Sequence, residues 1–312
     1  MITITTTVDE AIQAEGEFRA GGTDIGARRR LGIANGPLVD IQAVEGLQQI
    51  TLAEDGSAVI GAMVTLQQLA DHTALNDFYP GIAQLAGRAA NPQIRHMATL
   101  GGSLLQRTRC AYYRHLEFDC FKKGGDACPA RDGFHADGVL FDLGPCVHPH
   151  PSTTGAALLA YEAQYLTHGH EPRPLPELFG DGGDPAADHT LAPGVLLTQV
   201  ILPAPVPGTR AAYFRTTGRA LAEWPIVEAM VRLRVSDGRF DFARVAVGAV
   251  ANIPLRLPTV EAALEGRPAD GETLRAAAEA AVEGANPLPQ SAYKSDFLIG
   301  TVLEALERAA TG

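Results

Sequence analysis

Cys110, Cys120, Cys128 and Cys146 are the only cysteines in 312 residues, and all four fall inside one 37-residue stretch. Scattered buried thiols do not cluster in this way, so the stretch reads as a site built around four sulfur ligands. They are separated by 9, 7 and 17 residues with no C-x-x-C pair, which argues against a zinc ribbon. Four thiolates suit a 4Fe-4S cluster. His115, His135, His148 and His150 are candidates to replace a ligand, and a zinc site or two disulfides remain open alternatives. Arg107, Arg109, Arg114, Lys122 and Lys123 lie near the first two cysteines. They would either offset an anionic cluster and raise its potential or be solvated charges of a loop.

Two glycine turns precede the cysteines: Ala20-Gly21-Gly22-Thr23-Asp24-Ile25 and Ala98-Thr99-Leu100-Gly101-Gly102-Ser103. A Gly-Gly pair after a strand lets backbone N–H groups approach an anion closely, although either pair alone reads as readily as a tight turn. Neither is a G-x-G-x-x-G or a G-x-x-x-x-G-K-S/T, so a Rossmann or P-loop reading has no support. Sulfur ligands after two phosphate-competent turns suggest two redox centres in one subunit.

The elements that must position these residues follow from pattern. Thr7 to Ala14 reads as a helix, Phe18 to Ala20 as a short strand, and Ala27 to Leu31 as a basic helix after the first turn. Pro37 to Ile41 and Ala58 to Ala62 read as strands, and a helix starts at Leu66 with Thr65 as N-cap. Ile82 to Ala90 reads as a helix that Asn91-Pro92 ends. Gln106 to Pro151 has no sustained period and is too long for an ordinary connection. Its order is expected to come from metal, since it lacks the makings of a core. The glycine turns precede it and are expected not to depend on its thiolates. Residues 170–195 read as a loop or linker. Val231 to Val235 alternates at period two, Asp237-Gly238 supplies a turn, and Phe240 to Val250 returns as the partner strand. Helices at Thr259 to Glu265, Glu272 to Glu283 and Ser291 to Ala309 are expected on one face of that sheet.

Hydrophobic content of 46% and charged content of 20% place the chain among soluble globular proteins of two or three domains. A net charge of −11 argues against nucleic acid. No apolar run is long enough to span a membrane, and the N-terminus lacks the pattern of a secretory signal. A cytoplasmic protein is expected; export with a partner carrying the signal would place it in the periplasm.

Phe18-Arg-Ala-Gly-Gly-Thr-Asp-Ile25 and Ile94-Arg-His-Met-Ala-Thr-Leu-Gly-Gly-Ser103 resemble the two flavin loops of the FAD subunits of the xanthine dehydrogenase, or molybdenum hydroxylase, family. Val247-Gly-Ala-Val-Ala-Asn-Ile-Pro-Leu-Arg256 resembles its C-terminal-domain signature, with Tyr293-Lys294 opening the last helix. The resemblance runs from about residue 8 to 309. It implies an α+β protein: a bipartite FAD-binding domain of the vanillyl-alcohol-oxidase type over residues 1–205, then a C-terminal α+β domain like that of CO dehydrogenase flavoproteins over 206–312. The first would divide into subdomains of about 1–54 and 55–205. It further implies that Ala20, Gly21, Gly22, Thr23, Asp24 and Ile25 wrap the FAD pyrophosphate. Thr99, Gly101, Gly102 and Ser103 would lie near the isoalloxazine and ribityl chain, and Arg215 by the flavin N1/O2 edge. Relatives commonly carry Asn at the position of Ser103 and Asp at that of Thr153. The cysteine stretch, about 107–150, is similar to an insertion that holds a 4Fe-4S cluster on Cys110, Cys120, Cys128 and Cys146, as in bacterial aldehyde oxidoreductases and 4-hydroxybenzoyl-CoA reductase.

No nucleophile elbow, H-E-x-x-H or carboxylate pair is present to act on an organic substrate. The expected role is therefore electron transfer in a heterotrimer. A large molybdopterin subunit would oxidise the substrate, favoured as an aldehyde, and a small subunit with 2Fe-2S clusters would pass electrons to FAD and on to an external acceptor. A hydroxybenzoyl-CoA reductase-like subunit, a xanthine or N-heterocycle dehydrogenase, a stand-alone flavoprotein oxidase and a zinc-stabilised binding module are the competing readings.

Overall fold

Capped helices and short strands alternate from the N-terminus, and the computed structural model, which describes residues 1–220 and 222–311, gathers the strands into three sheets. The first is parallel: β1 (Ile2–Ile4), β2 (Glu17–Arg19) and β3 (Leu38–Asp40), with β3 in the middle. Val39 is fully buried there among Ala11, Ile41, Val44 and Leu47. The helix Val8–Gln13 opens with a capping box between Thr7 and Glu10. After β2 the chain makes its first Gly-Gly turn, runs through the helix Ile25–Arg30 and returns as β3 beside and parallel to β2. This βαβ crossover places the turn at the carboxyl ends of parallel strands, the edge at which such sheets receive ligands.

The second sheet contains β4 (Ile50–Leu52), β5 (Ala58–Gly61), β6 (Gln164–Thr167), β7 (Arg173–Pro174) and β8 (Leu197–Leu202) in the antiparallel order β4-β5-β8-β6-β7. Its core is shared with the helices Leu66–Asp71, Pro80–Arg88 and Thr153–Ala160. Thr65 caps the first of these with a box to Gln68. Asn91-Pro92 does more than end a helix. The helix before it stops at Arg88, Ala90 takes a left-handed φ of 50°, and Asn91 then accepts the Ile94 N–H at 2.9 Å to start the helix Pro92–Met97. Proline costs nothing at that first helical position, where no backbone N–H is required.

The third sheet is β9 (Arg210–Thr216), β10 (Val227–Ser236), β11 (Arg239–Gly248) and β12 (Leu255–Arg256), ordered β12-β11-β10-β9. The hairpin turns on Asp237 and Gly238, both at positive φ (50° and 71°), as a two-residue turn of matching twist requires. Helices Pro258–Leu264, Gly271–Glu279 and Lys294–Thr311 cover one face. The other face is also covered, by Pro80–Arg88 and Thr153–Ala160 of the preceding unit. Alternation in β10 therefore separates two packed faces rather than a dry and a wet one. Arg232 is 4% exposed, donating to the Ala160 carbonyl at 2.9 Å with its guanidinium carbon 4.4 Å from the Tyr161 ring centre.

Candidate functional site

The two Gly-Gly turns meet. A Cβ on Gly21 would sit 1.6 Å from the carbonyl oxygen of Met97, so the two backbones touch where any side chain would part them. Gly22 lies at φ +73°, a left-handed value that favours glycine. In the second loop Thr99 accepts the Gly102 N–H at 3.1 Å, which caps the helix Leu100–Leu104. Gly101 packs on Ala62, giving its N–H to the Ala62 carbonyl at 2.8 Å. Gly102 is exposed beside buried Gly101 and Ser103, and the Ser103 hydroxyl accepts from Thr154 at 2.8 Å. The structure thus brings Ala20 to Ile25 together with Thr99, Gly101, Gly102 and Ser103, with Thr23 half-buried and Ile25 buried in the core.

Asp24 does something the sequence did not suggest. Its Oδ2 takes Arg28 Nε at 3.0 Å and the Arg107 backbone N–H at 3.2 Å, and its Oδ1 takes Arg114 at 2.8 Å and Arg109. Burial alone would raise this carboxyl; Arg109, Arg114 and Arg28 outweigh it and hold it below the usual carboxylate range. The first glycine loop is therefore fastened to the cysteine segment, against the expectation that the two are independent.

Asp188 is a second anchor, from the stretch read as a linker. It is 5% exposed and pairs with Lys122 and Arg107, each at 2.9 Å. Four of the five basic residues near the cysteines are thus matched to the carboxylates of partly buried Asp24 and buried Asp188, and Lys123 is held by the His115 carbonyl. Only Lys122 among them lines the cysteine cavity.

That cavity holds about 310 Å³ of empty space, counting the part open to solvent, and all four cysteines line it. All four are free thiols, so the disulfide alternative is not realised. Among the described residues no three His, Cys, Asp or Glu side chains converge on a point fit for a single ion. Burial pushes the Cys110 thiol up and that of Cys146 up to about 11, with Lys122 offsetting part of the effect at Cys146. Ligation would have to displace these protons. His148 also lines the cavity, but His115, His135 and His150 do not.

The segment from Gln106 to Pro151 contains one 3-10 turn, Phe121–Lys123, and one four-residue helix, Pro129–Asp132, as its lack of period predicted. It nevertheless buries a small core of Tyr113, Ala130, Val139 and Val147 around the thiols. Leu140 and Phe141 give their N–H groups to the Val250 carbonyl at 2.7 and 2.9 Å, and buried Lys294 bridges the carbonyls of Asp137 and Ala249. These contacts order the segment without metal, against the expectation that its order comes from metal. The motifs Val247 to Arg256 and Tyr293-Lys294 earn their place by receiving this segment.

Arg215 is buried at 8% exposure, not a surface arginine. Its guanidinium donates to the carbonyls of Arg88 and Glu223. Across the strand pair it faces Glu228, which accepts from Tyr213 at 2.6 Å. Burial raises the Glu228 carboxyl despite Arg215. Trp224 is half-exposed, with Arg109 stacked 4.6 Å over its ring.

Comparison with known proteins accords with this geometry. Residues 4–205 match the family of the FAD binding domain in molybdopterin dehydrogenase, and residues 212–309 match the CO dehydrogenase flavoprotein C-terminal domain. The aldehyde oxidoreductase FAD-binding subunit PaoB of Escherichia coli (strain K12) is 30% identical over 90% of both chains. The carbon monoxide dehydrogenase medium chain of Hydrogenophaga pseudoflava is 24% identical over 95% of this chain and 88% of its own. A carbon monoxide dehydrogenase structure from the same organism superposes with a TM-score of 0.78 over 99% of this chain and 96% of its own, at 24% identity. Quinoline 2-oxidoreductase from Pseudomonas putida 86 gives the same score over 100% and 96%, at 20% identity, which places the fold alone. With both halves matched in order, the chain belongs to the FAD-binding subunits of the xanthine dehydrogenase and CO dehydrogenase family of molybdenum hydroxylases and is a component of an oxidoreductase.

Proposed function

We propose that the chain is the FAD- and 4Fe-4S-containing electron-transfer subunit of a heterotrimeric molybdenum hydroxylase whose overall reaction is aldehyde oxidation. The observation that carries the flavin assignment is the backbone contact of Gly21 with Met97, which joins the two loops at the carboxyl edge of a parallel sheet. Backbone of Ala20 to Ile25 would hold the pyrophosphate, and Thr99, Gly101, Gly102 and Ser103 the ribityl chain and ring. Arg215 would act on the ring edge through its charge, with its two terminal nitrogens donating to backbone carbonyls. FAD, when bound, accepts electrons from a 2Fe-2S subunit and gives them to an external acceptor.

Four free thiols around one cavity support the cluster on Cys110, Cys120, Cys128 and Cys146, and free thiols suit the cytoplasm. Aldehyde as substrate is supported by the 30% identity to the aldehyde oxidoreductase subunit; the chemistry itself would take place on a molybdopterin partner. A domain division at about residue 205 is supported by the break between β8, which ends at Leu202, and β9, which starts at Arg210. The test is to purify the chain with its partner subunits and measure flavin, iron and aldehyde-dependent dye reduction. Bound FAD, about four irons held by this chain and activity only in the assembled enzyme are expected. A colourless zinc protein, or aldehyde oxidation by the chain alone, would overturn the proposal.

A further inference from the structure

Asp24 belongs to the first glycine loop, yet three of the four donors on its carboxylate come from the segment around Cys110. Resting on the reading that the glycine loops hold FAD and the cysteines a cluster, we infer that Asp24 is a positioning residue that couples the two sites, so that the ordered cysteine segment sets the affinity of the first loop for the FAD pyrophosphate.

Two effects act in the same direction. The first is shape. A carboxylate offers about four acceptor positions, and here each oxygen takes two donors, so Asp24 is saturated and has no freedom to swing toward a ligand. The second is charge. Asp24 and Glu17 face Arg28, Arg109 and Arg114, which leaves this edge of the loop with one net positive charge. Arg28 belongs to the loop's own helix, whereas Arg109 and Arg114 belong to the cysteine segment. If that segment comes away, Asp24 and Glu17 are left with Arg28 alone, and the net charge becomes one negative. A loop that must receive a pyrophosphate dianion therefore changes from attractive to repulsive. Coupling of this kind is reciprocal: bound FAD would in turn hold the cysteine segment in place.

The experiment uses the co-purified heterotrimer, stripped of FAD and titrated back with FAD under fluorescence detection, with iron measured on the same samples. Cys128→Ala, which removes one proposed cluster ligand, is expected to weaken FAD about ten-fold, within the usual range of coupling between sites. Arg109→Gln with Arg114→Gln keeps the cysteines and serves where Cys128→Ala fails to fold. It is expected to weaken FAD by a similar factor while iron is retained. The triple variant is expected to bind FAD no worse than the weaker of the two, because both act through one clasp. Unchanged FAD affinity in Cys128→Ala, or losses that multiply in the triple variant, would overturn the inference. Wild-type heterotrimer without FAD, or with no iron beyond that of its 2Fe-2S subunit, would instead overturn the cofactor reading beneath it, a result visible before any variant is made.

Discussion

Substituting the two adjacent glycines of the first loop separates a steric requirement from a conformational one. In Gly21→Ala the new methyl falls 1.6 Å from Met97 O and 2.5 Å from Met97 C. Ordinary contact needs about 3.5 Å, so the two loops must part by roughly 2 Å. No rotamer relieves this, because both groups are backbone. Neither side yields easily: Ala98 O accepts from Leu66 N at 2.9 Å, Leu100 N donates to Val64 O at 2.8 Å, and Ala20 O accepts from Gln42 at 2.9 Å. The cost belongs at or above the top of the about 1–3 kcal/mol range for overpacking, and it falls on the seam that would hold FAD. In Gly22→Ala the methyl meets only the end of the Arg19 side chain, at 3.4 Å, and the cost is the left-handed φ of +73°, about 1–2 kcal/mol. Flavin absorbance per chain and thermal melting of the assembled enzyme are the assays. Gly21→Ala is expected to lose FAD and melt well below Gly22→Ala, which keeps most of its flavin. If Gly21→Ala retains normal flavin and melts with Gly22→Ala, the seam assignment is wrong.

Acid sensitivity should arise at His150, which is 4% exposed, accepts the Ser152 N–H at Nδ1 and faces the Asp188 carbonyl through Nε2. Burial pulls its pKa from 6.5 to about 4, so the unfolded chain binds the proton first and stability is lost as pH falls from 6.5 toward 4, by up to about 3 kcal/mol. His150→Gln should flatten that part of a melting-temperature profile; an identical slope would refute it. Gly248→Ala would place a methyl 2.4 Å from Oε1 of the buried Glu228, costing about 1–3 kcal/mol. Adding Glu228→Ala should recover part of that loss, whereas strictly additive melting shifts would show that the two do not share the space. Cys128→Ala should remove about four irons per chain and open residues 107–150 to proteolysis, and full iron content would defeat the cluster assignment.

Local chemistry was legible wherever a residue acts on its own neighbours. Thr7 and Thr65 cap helices, Asp237-Gly238 turns a hairpin, and the aperiodic cysteine stretch has almost no regular structure. The four thiols were found by their crowding in sequence, and they share one cavity. What stayed hidden depends on residues far apart in the chain. Asp188 sits 66 positions from Lys122, in a stretch whose prolines and glycines read as linker, and nothing local marks it as a buried counter-ion. The burial of Arg232 is not legible from the alternation of Val231 to Val235, because periodicity reports which face a residue is on, not whether that face meets water or another layer. The glycine pairs were legible as turns, but which glycine is indispensable depends on a carbonyl some 76 residues away, at Met97.

The cysteine segment touches three parts of the chain: the first glycine loop through Asp24, the 170–195 stretch through Asp188, and the C-terminal unit through Val250, Ala251 and Lys294. An insertion that served only to carry a metal would need a single point of attachment. Attachment on three sides ties the parallel-sheet unit to the C-terminal unit, and Arg109 completes the tie by lying between Asp24 and Trp224. A segment pinned at both carboxylates cannot drift relative to the glycine loops, as the proposed electron transfer between a cluster and a flavin would require. The buried ion pairs at Asp24 and Asp188 add little net stability once desolvation is counted. Their value lies in geometry, since a carboxylate saturated by guanidiniums from two segments is satisfied in only one arrangement of those segments.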